Sequence, residues 1–304
     1  MSDALENRQL LDNSIELEIR ERTREHQAAV ARIKSAREYR KAKGKKIPLA
    51  SDPLCFLAHG DSWFNYPLWG NSISLGTTDI IRQLQPLGNP IPLILNVSHW
   101  GDSTTDEMSL PKQARMIEAI EDPANWLNDA RLPDGILFSG GGNDIAGEQF
   151  VIFLNYNIGG TLLNSVRFKK KLEEIEASHL DLFAFRDRFA PNVPIFGHSY
   201  DFPIPNGVHP ICVGPWLKPS FDFCGWSDIA VTTKTVKDAL TDFNTMLVAL
   251  SNVSKYKFFL AHTQGTLKPD DWANELHPYP SGFIELGKKF LTVLRLYPQF
   301  HNRI

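Results

Sequence analysis

Leu54-Cys55-Phe56-Leu57-Ala58-His59-Gly60-Asp61-Ser62-Trp63-Phe64-Asn65 is the stretch from which the rest of the chain can be read. Five apolar residues run without a polar break into a small polar turn, the pattern of a strand buried on both faces. Four further runs repeat it: Ile91–Val97, Gly135–Ser139, Val193–Phe196 and Tyr256–Ala261. Between them lie stretches of helical character at Thr77–Leu87, Pro111–Ala119, Leu172–Phe189 and Thr235–Leu250. Buried strands alternating with amphipathic helices predict an α/β chain with a parallel sheet covered on both faces. Ligands of such sheets sit beyond the carboxyl ends of the strands, so the residues after each run carry the functional question.

Outward from this core, residues 1–49 read as a separate charged helical extension. The segment has no aromatic before Tyr39 and no Pro before Pro48, and it ends in the basic run Arg40–Lys46. Its apolar positions give a patchy helical stripe that suits packing on the domain edge or on a partner subunit, which allows a homo-oligomer through this helix. Residues 50–304 form the main domain. Two stretches, about 147–168 and 200–230, fit the alternation poorly and are expected to cap the site.

Composition narrows the function classes. A chain of 304 residues with 42% hydrophobic residues suits one large core, which needs neither disulfide nor metal to hold it. The formal net charge of −3 supplies no global basic field, so nucleic acid is not an expected partner. No apolar stretch approaches the ~20 residues of a membrane span, and the polar first residues lack a signal peptide's apolar run. Cys55, Cys212 and Cys224 leave an odd thiol, against a disulfide framework. A cytoplasmic location is the expectation.

The loops after the strands converge on one chemistry. Gly60-Asp61-Ser62 can present a hydroxyl at the mouth of the sheet, although Phe64 stands where the G-x-S-x-G elbow needs its second glycine. Asn96-Val97-Ser98-His99-Trp100-Gly101 brings a glycine N–H to the second strand end, and Gly140-Gly141-Gly142-Asn143-Asp144 brings glycines and a side-chain amide to the third. His277 precedes the last helical stretch. A serine nucleophile needs a histidine to take its proton, and the tetrahedral intermediate needs pre-aimed N–H donors. Ser62 with His277 supplies the first requirement. The N–H groups of Ser62 and Gly101 with the Asn143 amide supply the second.

With these four blocks in this order, the chain from about 52 to 295 resembles the SGNH hydrolase superfamily, the GDSL esterases and lipases. The resemblance rests on Gly60-Asp61-Ser62-Trp63, Gly101, Gly141-Gly142-Asn143-Asp144 and Asn274-Glu275-Leu276-His277-Pro278. It implies a flavodoxin-like three-layer α/β/α sandwich with Ser62 as nucleophile, His277 as general base, and Gly101 and Asn143 completing the oxyanion hole. The family's last block is usually Asp-x-x-His-Pro, whereas Asn274 stands three residues before His277 here. An asparagine carbonyl can hold the imidazole tautomer but cannot stabilise the imidazolium by charge. Asp271, Glu275 or Asp201 could supply that charge from elsewhere.

Other readings are weaker. The glycine loop lacks the Gly-Lys-Ser/Thr of a phosphate loop, and His198, Asp201 and His209 have no recognisable ligand spacing, so no metal and no cofactor is expected. His198, Tyr200 and Asp201 follow the fourth strand and are expected to shape the substrate pocket. Trp216, Phe221, Phe223 and Trp226 read as loop packing ahead of substrate walls. The function expected is a serine esterase acting on a small-molecule or glycan ester. The alternatives are a carbohydrate O-deacetylase or acyltransferase on the same site, and a non-catalytic binding protein with a degraded triad.

Overall fold

The computed structural model of the chain describes residues 2–44, 52–66, 78–208, 214–301 and 303–304. Lys45 and Lys46 of the basic run, the boundary at 49/50, Cys212 and His209 lie outside the described residues. In chain order the elements are α1 (Ser2–Ala42), β1 (Cys55–Gly60), α2 (Ile80–Leu87), β2 (Leu93–Asn96), α3 (Thr104–Glu107), α4 (Leu110–Glu121), β3 (Gly135–Ser139), α5 (Gly142–Ile145), α6 (Ser165–Phe189), β4 (Ile195–His198), α7 (Lys218–Phe223), α8 (Ile229–Ser251), β5 (Phe258–Ala261) and α9 (Pro280–Leu296).

The five strands form one parallel sheet in the order β2-β1-β3-β4-β5, the flavodoxin-like arrangement. Each strand lies within or across the end of a run read from the sequence. Alternate side chains serve opposite faces. Phe56, Phe196 and Phe259 turn toward α9 and the chain end, where they meet Tyr297 and Phe300. Phe138 and Phe258 turn toward α6, where they pack on His179 and Phe183. Helices α2 and α9 cover the first face, and α3, α4, α6 and α8 cover the second. Each aromatic ring buried in this way contributes roughly 1.5–3 kcal/mol.

α1 spans 41 residues, about 60 Å at 1.5 Å per residue, and lies along β2 at the sheet edge. Ile19 and Val30 are buried there, and several hydrogen bonds tie the helix to backbone carbonyls. Arg22 Nη2 donates to the Ser98 carbonyl (3.0 Å), His26 Nε2 meets the Asn125 carbonyl (2.8 Å), and Arg37 Nη1 donates to the Leu127 carbonyl (2.8 Å). Covering an edge strand removes a template for unwanted strand pairing. No helix among the described residues is long and apolar enough to cross a membrane.

Two boundaries need correction. Residues 165–168 of the first insertion belong to α6, which starts seven residues before the sequence pattern suggests, capped by Asn164 Oδ1 accepting the Arg167 N–H (3.1 Å). β4 runs on to His198, so that residue is part of the sheet and not of the loop after it. The insertions pack on each other. The Asn157 N–H donates to the Cys224 carbonyl (2.9 Å), Trp226 Nε1 donates to the Asn155 carbonyl (2.7 Å), and Phe150 packs on Phe221.

Candidate active site

β1 and β3 are neighbours, while the chain leaves β1 for β2 on one side and reaches β3 on the other. Their carboxyl ends therefore bound the crevice where such sheets bind ligands. Gly60 makes the close approach possible, because a Cβ there would lie 2.4 Å from the Ser139 carbonyl oxygen. The Asp61 N–H donates to that same oxygen (3.0 Å), and the chain then folds into a turn in which the Phe64 and Asn65 N–H groups donate to the Asp61 carbonyl. This turn carries Ser62.

His277 arrives from the opposite side on a tight loop before α9. An isolated bridge joins Trp272 to Pro278, and the His277 carbonyl accepts the N–H groups of Ala273 and Asn274 (3.0 and 3.2 Å). Asn274 Oδ1 closes the loop by accepting the N–H groups of Leu276 (2.9 Å) and His277 (2.8 Å). Trp63 Nε1 donates to the Leu276 carbonyl (3.1 Å), which ties the serine turn to the histidine loop. The result is a Ser62 Oγ to His277 Nε2 distance of 2.7 Å, with both residues buried at 7% and 6% exposure. With Nε2 accepting the serine proton, Nδ1 bears its own proton and faces Asn274 Oδ1 at 3.3 Å.

No carboxylate faces Nδ1 among the described residues, and all three acids considered from the sequence are committed elsewhere. Glu275 accepts four backbone N–H groups, from Gly207, Trp216, Leu217 and Lys218 (2.5–3.0 Å). Asp201 accepts those of Phe202, Gly265, Thr266 and Leu267 (2.6–2.9 Å). Asp271 accepts that of Lys268 (2.7 Å). Burial without a compensating charge pulls His277 down to about 3, so it is neutral at any ordinary pH. Tyr66, which the sequence reading passed over, packs on the imidazole with ring centroids 4.1 Å apart and the planes tilted by 32°, and its hydroxyl accepts from Asn274 Nδ2 (2.9 Å). Trp216 meets the imidazole in a T-shaped contact with ring centroids 5.7 Å apart.

Behind Ser62 lies a closed polar network. Asp61 accepts the Tyr200 hydroxyl (2.5 Å), the Ser139 hydroxyl (2.7 Å) and the Trp63 N–H (3.0 Å). His198 Nε2 donates to Ser139 Oγ (2.8 Å), and its Nδ1 accepts the Tyr200 N–H (3.2 Å). Burial pushes the Asp61 carboxyl up to about 6 despite these donors, and pulls His198 down to about 3.

The expectation that His198 shapes the substrate pocket does not hold. As the last residue of β4 it points toward α9 and is packed among Trp63, Phe64 and Phe290. Tyr200 and Asp201 do line the cavity, with their polar atoms engaged internally. Phe221 and Trp226 serve loop packing, whereas Trp216 reaches the base.

The cavity beside Ser62 and His277 has a volume of about 30 Å³ and is lined mainly by apolar groups, with Trp63, Ala146, Leu240, Trp272 and Leu276 among them. Asn143 also lines it, and its Nδ2 donates one proton to the Asp102 carbonyl (2.9 Å), which aims the amide. Gly101 is exposed at φ 84°, one residue from that carbonyl, and lines a groove against α1 instead of this cavity. Asp144 accepts the Thr104 N–H and hydroxyl (2.8 and 3.0 Å) and so pins α3 beneath the glycine loop. Among the described residues no three His, Cys, Asp or Glu side chains are grouped to hold a metal ion.

Glu107, also beneath the glycine loop, is fully buried, and neither carboxyl oxygen has a hydrogen-bond partner among the described residues. Burial, reinforced by the Asp61, Asp144 and Asp102 carboxyls, raises it well above the usual glutamate range. A raised carboxyl contributes stability that is present below its unfolded value and lost as pH rises through its folded value. Glu107→Gln keeps the neutral form. Melting curves from pH 5 to 9 should therefore show the variant losing less stability than wild type toward alkaline pH, by a few °C. Parallel curves would show that folding does not raise the Glu107 carboxyl.

No family model matches the sequence, and no curated protein matches it. In structure the chain is similar to GDSL-type lipases and esterases. The extracellular lipase from Streptomyces rimosus has 16% identity and a TM-score of 0.49, covering 78% of this chain and 99% of that one. A member of the lipolytic protein G-D-S-L family from Veillonella parvula has 14% identity and a TM-score of 0.43, covering 79% and 98%. Est24, a carbohydrate acetylesterase from Sinorhizobium meliloti, has 17% identity and a TM-score of 0.44, covering 77% and 94%. These are distant likenesses, and what the site can do follows from its own side chains.

Proposed function

We propose that this chain is a serine esterase of the SGNH type. The observation that carries the reading is the 2.7 Å contact between Ser62 Oγ and His277 Nε2, placed beside the Asn143 amide at the carboxyl ends of β1 and β3. Ser62 Oγ attacks the ester carbonyl carbon as its proton passes to His277 Nε2. The carbonyl electron pair moves onto oxygen, where the N–H groups of Ser62 and Asn143 stabilise it. The intermediate collapses, and the leaving alcohol takes the proton from Nε2. Water then repeats the sequence on the acyl-serine and releases the acid. Gly101 joins the donors only if its loop closes on the substrate.

The test is intact mass after exposure to a fluorophosphonate probe. Wild type should gain one adduct at Ser62, and Ser62→Ala should gain none. A folded wild type that takes no adduct would favour the non-catalytic binding protein.

Cavity size supports a short acyl group. About 30 Å³ accommodates two or so water-sized groups, the bulk of an acetyl. Each further methylene forces repacking that costs about 1–3 kcal/mol. The kcat/KM for p-nitrophenyl acetate should thus exceed that for the butyrate by roughly 10-fold or more. The same size favours the O-deacetylase version of this function over a long-chain lipase. Equal turnover of acetyl and octanoyl esters would sink both statements.

A further inference from the structure

We propose that Tyr66 is a positioning residue for His277, its ring face holding the imidazole and supporting the positive charge that the imidazole acquires during proton transfer. This rests on the serine-esterase reading above. When the Ser62 proton reaches Nε2, His277 carries protons on both nitrogens and a full positive charge until the leaving alcohol takes one. In a Ser-His-Asp triad a carboxylate at Nδ1 stabilises that charge. Here the group at Nδ1 is the neutral carbonyl of Asn274 at 3.3 Å, and Glu275, Asp201 and Asp271 are committed to backbone N–H groups.

Among the described residues, Tyr66 is the aromatic ring nearest the imidazole. Its ring centroid is 4.1 Å from that of His277 with the planes 32° apart, inside the ~6 Å range over which an aromatic face attracts a cation. Tyr66 is 1% exposed, so water does not screen the contact. Its hydroxyl also holds Asn274 Nδ2, so a single side chain fixes the imidazole and the amide that faces it. Trp216 meets the imidazole in a T-shaped contact at the longer centroid distance of 5.7 Å, so Tyr66 is the nearer ring.

The test compares Tyr66→Phe, Tyr66→Leu and a series of progressively fluorinated phenylalanines at position 66, which keep the ring shape while draining its π face. Tyr66→Phe should retain turnover within about 3-fold. Tyr66→Leu should lower kcat roughly 10- to 30-fold with KM little changed, and the fluorinated series should fall stepwise. The acid limb of the rate profile should move to lower pH in Tyr66→Leu, because the imidazolium has lost its support. In the Asn274→Asp background, where a carboxylate carries the charge, the Leu substitution should cost under about 3-fold. A flat fluorination series, or an equal loss in both backgrounds, overturns the proposal even if Tyr66→Leu folds poorly. Fluorophosphonate labelling of wild type separates the two failures. Normal labelling with a flat series removes Tyr66 alone, whereas no labelling removes the esterase reading and Tyr66's role with it.

Discussion

Ser62→Ala is expected to reduce ester turnover by about four orders of magnitude or more while leaving the melting temperature within a degree or two of wild type. The hydroxyl makes one side-chain contact, with His277 Nε2, and it sits at the surface of a cavity instead of within the packed core. Its removal strands no donor, because the neutral imidazole loses only a proton that it accepted. What is lost is the atom that forms the acyl bond. The residual rate would come from the oxyanion donors and substrate binding alone, which in serine hydrolases leaves a small fraction of activity. Paired measurements of kcat for an acetate ester and of thermal unfolding would check this. A variant retaining more than a tenth of wild-type turnover would place the nucleophile elsewhere.

Asn274→Asp is expected to raise kcat/KM at neutral pH by about 10-fold or more and to shift the acid limb of the rate profile upward. In the esterase reading His277 is a weak base, because burial holds it near 3 with no carboxylate facing Nδ1 among the described residues. A carboxylate 3.3 Å from Nδ1 would favour the imidazolium, and each unit recovered corresponds to about 1.36 kcal/mol. The replacement strands no backbone group. One oxygen keeps the Leu276 and His277 N–H groups. Activity between pH 4 and 5 should fall as neutral-pH activity rises, because a stronger base protonates earlier. Stability should also change. A depressed His277 contributes stability that is present above pH 6.5 and lost as pH falls toward 3, and the substitution weakens that acid sensitivity. The checks are a kcat/KM profile from pH 3 to 9 and unfolding across the same range. No change in either would mean that His277 already has a charge to lean on.

The sheet and the positions of the loops were legible because a parallel strand buried on both faces is a continuous apolar run, and each site loop starts where such a run stops. Cys55–Gly60 followed by Ser62 and Gly135–Ser139 followed by Asn143 are two such cases. The partners of these loops were harder to read. His198 looked like a loop residue until β4 ran through it, and its fate was decided by which face of the strand it occupies. Whether Glu275, Asp201 or Asp271 oriented the base depended on backbone N–H groups up to 68 residues away, and no spacing rule reports those. Tyr66 had one available signal, an aromatic four residues after Ser62, but ring contact with His277 is a tertiary fact.

The Glu275 clasp sets a division of labour along the chain. The carboxylate sits two residues before His277 and holds Gly207, Trp216, Leu217 and Lys218 by their main-chain N–H groups. Because the grip takes only main-chain N–H groups, Lys218 can be exchanged without loosening it, whereas Trp216, packed on His277, and the buried Leu217 are also held by their side chains. Laboratory selection for new substrates should therefore accumulate substitutions at positions such as Lys218 and leave Glu275 and His277 untouched, so that specificity drifts around a clasp that the chemistry never has to rebuild.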